Sequence, residues 1–314
     1  MNTTHTPSHI YGPVPSRRLG YSLGVDILPF KTCSLDCVYC QLGRSSHKDI
    51  KRAAYFCLDE ILAQIKEAVG SGQKIDYITF SGSGEPTLNT ILGPLILEIK
   101  KITDIPVAVL TNSTLLIDEE VREALKNADL VVPSLDAVTQ DIFAHVNRPH
   151  SSIEIEDVIH GLKLFRQDFS GKLWLEVMLV KGLNDSPRHI HKLKETIALI
   201  KPDKIQLNTV VRPPAEGFAQ PLDQERLFEI REQLGSDAEI VVDFPKREQS
   251  LTEKNIQRAI VAYVQRRPAT LTDLATSLGI HTNEVIKHLD RLCQAGQIRV
   301  VHHSDQIYYE PSQP

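Results

Sequence analysis

The chain of 314 residues carries no apolar run long enough to span a bilayer. Its N-terminus, Met-Asn-Thr-Thr-His-Thr-Pro-Ser, lacks the basic stretch followed by an apolar segment that marks a secretory signal, so a cytoplasmic, reducing compartment is expected. Cysteine is scarce: there are five, an odd number, which argues against a disulfide framework. None precedes Cys33, and no second cysteine pair stands at the spacing of a zinc ribbon. Neither charge sign dominates. A net charge of −5 and a pI near 6.2 give no global attraction to nucleic acid, although a local basic patch is compatible with both. Hydrophobic residues make up 41%, enough for a sizeable core, and the length suits one large domain and one small one.

Against this background the run Lys31-Thr-Cys-Ser-Leu-Asp-Cys-Val-Tyr-Cys40 stands out as a C-x3-C-x2-C pattern. Thiolates at Cys33, Cys37 and Cys40 suit three irons of a cubane cluster and leave the fourth iron without a protein ligand. An open iron can bind a substrate or cofactor, so the pattern points to chemistry. The competing reading is zinc, which in a structural site takes four ligands; His47 is the only nearby histidine for that place. Cys57 and Cys293 read as small buried hydrophobes.

Periodicity organises the rest. Residues 1–20, polar and rich in Pro and Arg, read as an N-terminal extension. From there strand and helix patterns alternate. Strands are expected at Leu23–Leu28, Asp76–Ser81, Pro106–Thr111, Leu130–Pro133, Leu173–Val180 and Lys204–Val211, separated by helical patterns. The expectation over 21–245 is an α/β fold, a partial (β/α)6 TIM-like barrel, because the span falls short of a full eight-unit barrel. Polar clusters follow five of the six predicted strands: the cysteines, Ser81-Gly-Ser-Gly-Glu-Pro86, Thr111-Asn-Ser113, Ser134-Leu-Asp136 and Asn208-Thr-Val-Val-Arg-Pro-Pro214. Strand C-terminal ends are where such barrels carry their sites. Polar residues there also cap turns, the glycines also permit tight turns, and Tyr39 also suits ordinary packing.

Residues 252–314 change character. Helices are expected at Thr252–Arg266, Leu271–Leu278 and Thr282–Ala295, then strands at Gln297–Val301 and Gln306–Tyr309. That is the order of a winged helix, joined by the linker Phe244–Ser250. The segment holds seven Lys/Arg against six Asp/Glu, so docking of a protein and contact with nucleic acid both stay open.

The cysteine loop, together with Ser83-Gly84-Glu85-Pro86, resembles the signature of the radical S-adenosylmethionine (SAM) superfamily over about residues 20 to 240. Ser83 stands where that family's Gly-Gly-Glu motif has its first Gly. Five segments resemble the wyosine-synthase-like group: Tyr11–Gly20, Pro133–Ala137, Asn147–Pro149, Glu176–Asp185 and Leu207–Pro214. The resemblance implies one [4Fe-4S] cluster on Cys33, Cys37 and Cys40, whose open iron binds the amino and carboxylate groups of SAM. A flavodoxin- or ferredoxin-type donor would supply the electron that yields a 5'-deoxyadenosyl radical. It further implies Tyr39 near the adenine and Gly84–Glu85 at the methionine amino group. Asn112, Ser134 and Asp136 would serve the ribose hydroxyls and the methionine carboxylate, and Asn208 the adenine or substrate. Lys31, Arg148, Lys181 and Arg212 are candidates for gripping an anionic substrate. The chain departs from archaeal wyosine-forming enzymes in lacking their upstream second-cluster cysteines and in adding the winged helix, which points away from the tricyclic base. The expected function is radical modification of an RNA base or nucleotide-like substrate. Alternatives are an activase that places a radical on a partner protein and a cluster-sensing transcription regulator.

Overall fold

The computed structural model describes residues 8–45, 47–241, 253–278, 280, 282–303 and 306–312; the predicted linker Phe244–Ser250 lies outside them. The first strands are β1 (Ile10–Ser16) and β2 (Gly20–Val25), followed by the cysteine loop and α1 (Leu58–Gly70). Next come β3 (Tyr77–Phe80), a 3-10 turn at Pro86–Leu88, α2 (Leu92–Ile102), β4 (Val107–Thr111), α3 (Glu119–Leu125) and β5 (Leu130–Pro133). The chain continues through α4 (Gln140–Val146), α5 (Ile155–Asp168), β6 (Lys172–Leu179), α6 (Pro187–Ile200), β7 (Lys204–Thr209), α7 (Gln224–Leu234) and β8 (Ala238–Ile240).

These strands form one eight-stranded sheet in sequential order from β1 to β8. Every pair from β2 to β8 is parallel, each joined by a helical crossover, and in this sheet β1 alone runs antiparallel. All six predicted strands are present as β2 to β7. Two were missed. Residues 10–16 are no loose extension but the strand β1, hydrogen-bonded to β2; Pro and Arg hid an edge strand, where Pro is tolerated because its missing N–H faces outward. β8 has three residues, too short for an alternating pattern to register.

Strand alternation sorts the two faces. On β6, Leu173, Leu175, Val177 and Leu179 face the helices and join the main core, whereas Trp174, Glu176 and Met178 face the other way. On that concave side Leu19, Ala108, Leu130 and Val132, with Tyr77, Leu110 and Trp174, form an apolar plug. Thr79, Glu176 and Asn208 lie farther along their strands, towards the C-terminal ends, where the sheet opens into a cavity.

The remaining residues form α8 (Glu253–Arg266), β9 (Ala269–Thr270), α9 (Leu271–Leu278), α10 (Thr282–Gln294), β10 (Ile298–His303) and β11 (Gln306–Pro311). The short strand β9 was not expected; it completes a three-stranded sheet of order β10-β11-β9. Ile256 and Ile260, one turn apart on α8, join Leu274, Val285, Leu289 and Ile298 in a second core. Val14 of β1 is part of that same core, and Tyr308 Oη donates to the Val211 carbonyl, so this C-terminal unit is seated on the sheet rather than tethered beside it. Val14→Asp would bury a carboxylate in this apolar junction, at a cost of about 3–5 kcal/mol. A fall of several degrees in melting temperature is expected by calorimetry.

Candidate functional site

Two loops meet where the concave face opens. The Lys31 N–H donates to the Ser83 carbonyl at 2.6 Å and the Glu85 N–H donates to the Thr32 carbonyl at 2.9 Å, so the cysteine loop runs against Ser83–Gly84 as a parallel bridge. The contact leaves no room for a side chain: a Cβ on Gly84 would come within 1.9 Å of the Thr32 carbonyl oxygen. Lys31 itself adopts the left-handed conformation (φ 65°), uncommon outside glycine, as the loop turns here.

Each cysteine of the loop receives one side-chain N–H. Lys31 Nζ reaches Cys40 Sγ at 3.3 Å, and the amides of Asn112 and Asn147 reach Cys33 and Cys37 Sγ at 3.5 Å each. Burial, before any other cause, pushes the Cys33 thiol up to about 12 and the Cys37 thiol well above its ordinary value. A bound metal reverses that preference by taking the thiolate directly. Cys57 is exposed ahead of α1, not buried as expected, and Cys293 lies on α10; neither lines the cavity. His47 is exposed and also absent from the cavity wall. Among the described residues no three His, Cys, Asp or Glu side chains converge as a single metal ion would require.

The cavity has a volume of about 380 Å³ and is lined by the three cysteines, Tyr39, Ser81–Gly84, Glu176 and Asn208. A smaller one of about 20 Å³ shares Leu35 and Tyr39 with it and is lined by Asn112, Ser134 and Asp136. The seven cofactor residues expected from sequence therefore divide. Tyr39, Gly84 and Asn208 face the large cavity; Asn112, Ser134 and Asp136 face the small one; Glu85 faces neither. The Glu85 carboxylate is 2% exposed and accepts from Thr87 N and Oγ1, Thr111 Oγ1 and the Asn112 N–H. It caps the 3-10 turn and ties the β3 loop to the β4 loop. Asp136 is likewise committed, accepting from Tyr39 Oη, Asn147 Nδ2 at 2.7 Å and the Met178 N–H at 2.8 Å. Burial lifts its carboxyl to about 6.

The four basic candidates also separate. Lys31 and Arg212 line the large cavity. Arg148 is instead paired with Glu216 at 2.5 Å, and Lys181 is exposed and paired with Asp223 at 3.6 Å. Four basic contributors were missed: Arg17 and Arg18 in the β1–β2 turn, Arg266 at the end of α8 and Arg267 just after it. The first two lie in the segment Tyr11–Gly20, whose resemblance gave neither arginine a role, and the second two look like ordinary basic residues at a helix C-terminus. Arg18 pairs with Glu176, whose carboxyl, despite the upward push of burial, is held below its ordinary range by that guanidinium.

Ser83 explains its own departure from Gly-Gly-Glu. Its Oγ donates to Asp26 Oδ2 at 2.6 Å, and that oxygen stands 3.8 Å from Arg266 Nε. Arg266 in turn lies 4.4 Å over the Tyr11 ring, and Tyr11 Oη meets Ser81 Oγ at 2.8 Å. Tyr11 fits against β2 only because Gly24 lacks a Cβ, which would fall 2.0 Å from the ring.

A family model described as the radical SAM superfamily matches residues 27–193. The chain belongs to the radical SAM superfamily. It is 40% identical over 92% of its length to a Brachyspira hyodysenteriae protein named GTPase Obg, of which it spans 43%. It is 32% identical to UPF0026 protein MJ1312 of Methanocaldococcus jannaschii, covering 95% of this chain and 94% of that one. A probable dual-specificity RNA methyltransferase RlmN from Thermotoga neapolitana is 29% identical over 66% of this chain and 64% of its own. Among solved structures, a radical SAM methyltransferase from Sphaerobacter thermophilus shares the fold, with TM-score 0.52 and 19% identity over 70% of this chain and 65% of that one. The family implies a [4Fe-4S] cluster and SAM, and the residues present fit them: an all-sulfur donor set of three, each sulfur held by one N–H, beside a cavity large enough for a cofactor.

Two outcomes follow. Gly84→Ala drives a methyl into backbone and should separate the two loops, so iron retained after anaerobic reconstitution should fall by more than half while far-UV circular dichroism keeps the wild-type helix signal. Asp136 titrates higher in the folded chain than its ordinary 3.8, so its stabilising effect is complete below pH 4 and is lost as pH rises through 6. The amount is about 3 kcal/mol. Asp136→Asn should flatten the pH 4–6 limb of the urea-unfolding profile; an unchanged slope would refute the assignment.

Proposed function

We propose that this chain is a radical SAM enzyme with one cluster, held by Cys33, Cys37 and Cys40, acting on an RNA base or nucleotide-like substrate. The observation that carries the reading is the single loop of three cysteines clamped against Gly84 at the mouth of a cavity. Cys33, Cys37 and Cys40 would hold the cluster, and with SAM bound and an electron from a flavodoxin- or ferredoxin-type donor it would supply 5'-deoxyadenosyl radical chemistry.

The residues themselves bind, orient and shield. Ser83–Glu85 presents its backbone beside the cysteine loop, where the methionine end of SAM would lie. Tyr39 forms the wall shared by the two cavities, with Asn112, Ser134 and Asp136 beyond it as candidates for the ribose side. Tyr39 is held in place by its bond to Asp136, so it orients without needing to ionise. Asn208, fixed by donating to Glu176 at 3.1 Å, presents an amide to the adenine or substrate. Lys31 and the two asparagines donate to the sulfurs and would offset the negative charge gathered there.

The C-terminal unit has the element order of a winged helix, a module that contacts nucleic acids or proteins. Segments Tyr11–Gly20, Glu176–Asp185 and Leu207–Pro214 resemble the wyosine-synthase-like group, and each supplies residues to the cavity wall, which supports a nucleotide-like substrate. So does the similarity to a protein named as an RNA methyltransferase. A regulator that uses this unit as a free DNA-binding head is disfavoured, since α8 is committed to the cavity through Tyr263 and Arg266, and Arg267 follows it there. Incubated anaerobically with SAM and dithionite, the reconstituted protein should release 5'-deoxyadenosine, and Cys40→Ala should reduce release to the level without protein. Equal release from both would sink the reading.

A further inference from the structure

The C-terminal unit closes part of the large cavity, and it does so with charge. Among the described residues five arginines line the wall: Arg17 and Arg18 from the β1–β2 turn, Arg212 after β7, Arg266 at the end of α8 and Arg267 just after it. Among the described residues Glu176 is the sole carboxylate in the lining; Asp26 and Asp273 approach Arg266 and Arg212 from behind, each at 3.8 Å. Among the described residues five guanidinium groups thus face three carboxylates, in a chain whose net charge is −5. Lys31 is engaged separately with Cys40.

Two of these arginines, Arg18 and Arg212, are held on one side and keep a buried donor without a hydrogen bond, and a third, Arg266, is anchored from behind. Arg18 gives Nη2 to Glu176, but its Nη1 is buried without a partner. Arg266 gives Nη1 to the Ala262 carbonyl and Nη2 to the Ser8 carbonyl, and its Nε, without a hydrogen bond, stands 3.8 Å from the Asp26 carboxylate. Arg212 stands 3.8 Å from Asp273 and leaves its Nε buried with no hydrogen bond. Their side chains are only 10–11% exposed. Burial, and then the neighbouring Arg267 charge, make the Arg212 guanidinium more acidic than usual, a cost that a bound anion would remove. Buried cations with unmet donors are retained where a partner completes them.

We propose that Arg17, Arg18, Arg212, Arg266 and Arg267 form a receptor for a phosphate group of the substrate, part of it contributed by the C-terminal unit. The surplus of two positive charges matches a phosphate better than a carboxylate. Guanidinium forks converging from three chain segments suit its several oxygens. This rests on the reading of the cavity as the substrate site. The wing-bearing unit thereby acts as a wall of the pocket, and the substrate's charge latches α8 onto the sheet.

The test uses the full-length reconstituted protein with SAM, in equilibrium dialysis against four probes: inorganic phosphate, a nucleoside 5'-monophosphate, the unphosphorylated nucleoside, and an oligoribonucleotide without terminal phosphates. The monophosphate or the oligonucleotide should bind at least about tenfold more tightly than the nucleoside, equivalent to about 1.4 kcal/mol. Tight monophosphate binding assigns the site to a free nucleotide, and binding of the oligonucleotide alone assigns it to an RNA backbone phosphate. Arg212→Gln and Arg17→Gln, on different elements so that misfolding of one does not decide the matter, should each weaken the preferred probe about tenfold or more. Arg212→Lys should recover part of the loss because it keeps charge without the fork. Nucleoside binding equal to that of the phosphorylated probes, no probe bound by the wild type, or unchanged affinity in both Gln variants overturns the proposal. So does a loss confined to SAM affinity, which would give the arginines to the cofactor's carboxylate. Release of 5'-deoxyadenosine is read separately, so failure of the receptor and failure of the enzymatic reading are distinguishable.

Discussion

The site depends on how closely the cysteine loop approaches the loop after β3. Two backbone hydrogen bonds hold Lys31–Thr32 against Ser83–Glu85, and the approach is possible only because Gly84 has no Cβ. Cys33 follows this clamp directly, so its position relative to the sheet is inherited from β3 through backbone rather than from a flexible loop. Asn112 and Asn147, donating to the sulfurs of Cys33 and Cys37, come from later units of the sheet and lock the loop from the opposite side. A site meant to hold a charged cofactor gains accuracy when rigid elements fix its ligands.

Three buried carboxylates do this fixing from behind the wall. Glu85 joins the β3 and β4 loops, Asp26 joins β2 to Ser83, and Asp136 joins Tyr39 and Asn147 to β6. Each accepts several donors, which is how a buried carboxylate is kept without large loss of stability. None presents a free oxygen to the large cavity. Their part is to set the distance and angle at which other groups meet a ligand.

The C-terminal unit belongs to this architecture and is not an appendage. Val14 shares its core, and Arg266 reaches Tyr11 and Asp26 on the barrel. Loss of that unit would open the cavity to water and strip it of two arginines. An α/β sheet of eight strands leaves its C-terminal edge open, and here a second unit covers part of the opening.

Much of the fold was legible in the chain. Six parallel strands, most of the helices and the order of the C-terminal elements follow from apolar periodicity, because a strand packed on helices and a helix packed on a sheet must alternate in different ways. The cysteine spacing likewise determines by itself that three sulfurs come from one short loop. What the sequence could not decide is which polar residues face the cavity. Glu85 and Asn208 look alike as polar residues after strands, yet one is sealed behind the wall and the other lines it. Nothing in the sequence near Arg17, Arg18, Arg266 and Arg267 shows that they share one cavity, and these distant residues meet only once β1 and α8 pack together. Periodicity reports which face of an element is buried; it does not report what lies across from that face. That choice belongs to tertiary structure, because contacts between distant segments are set by how whole elements stack.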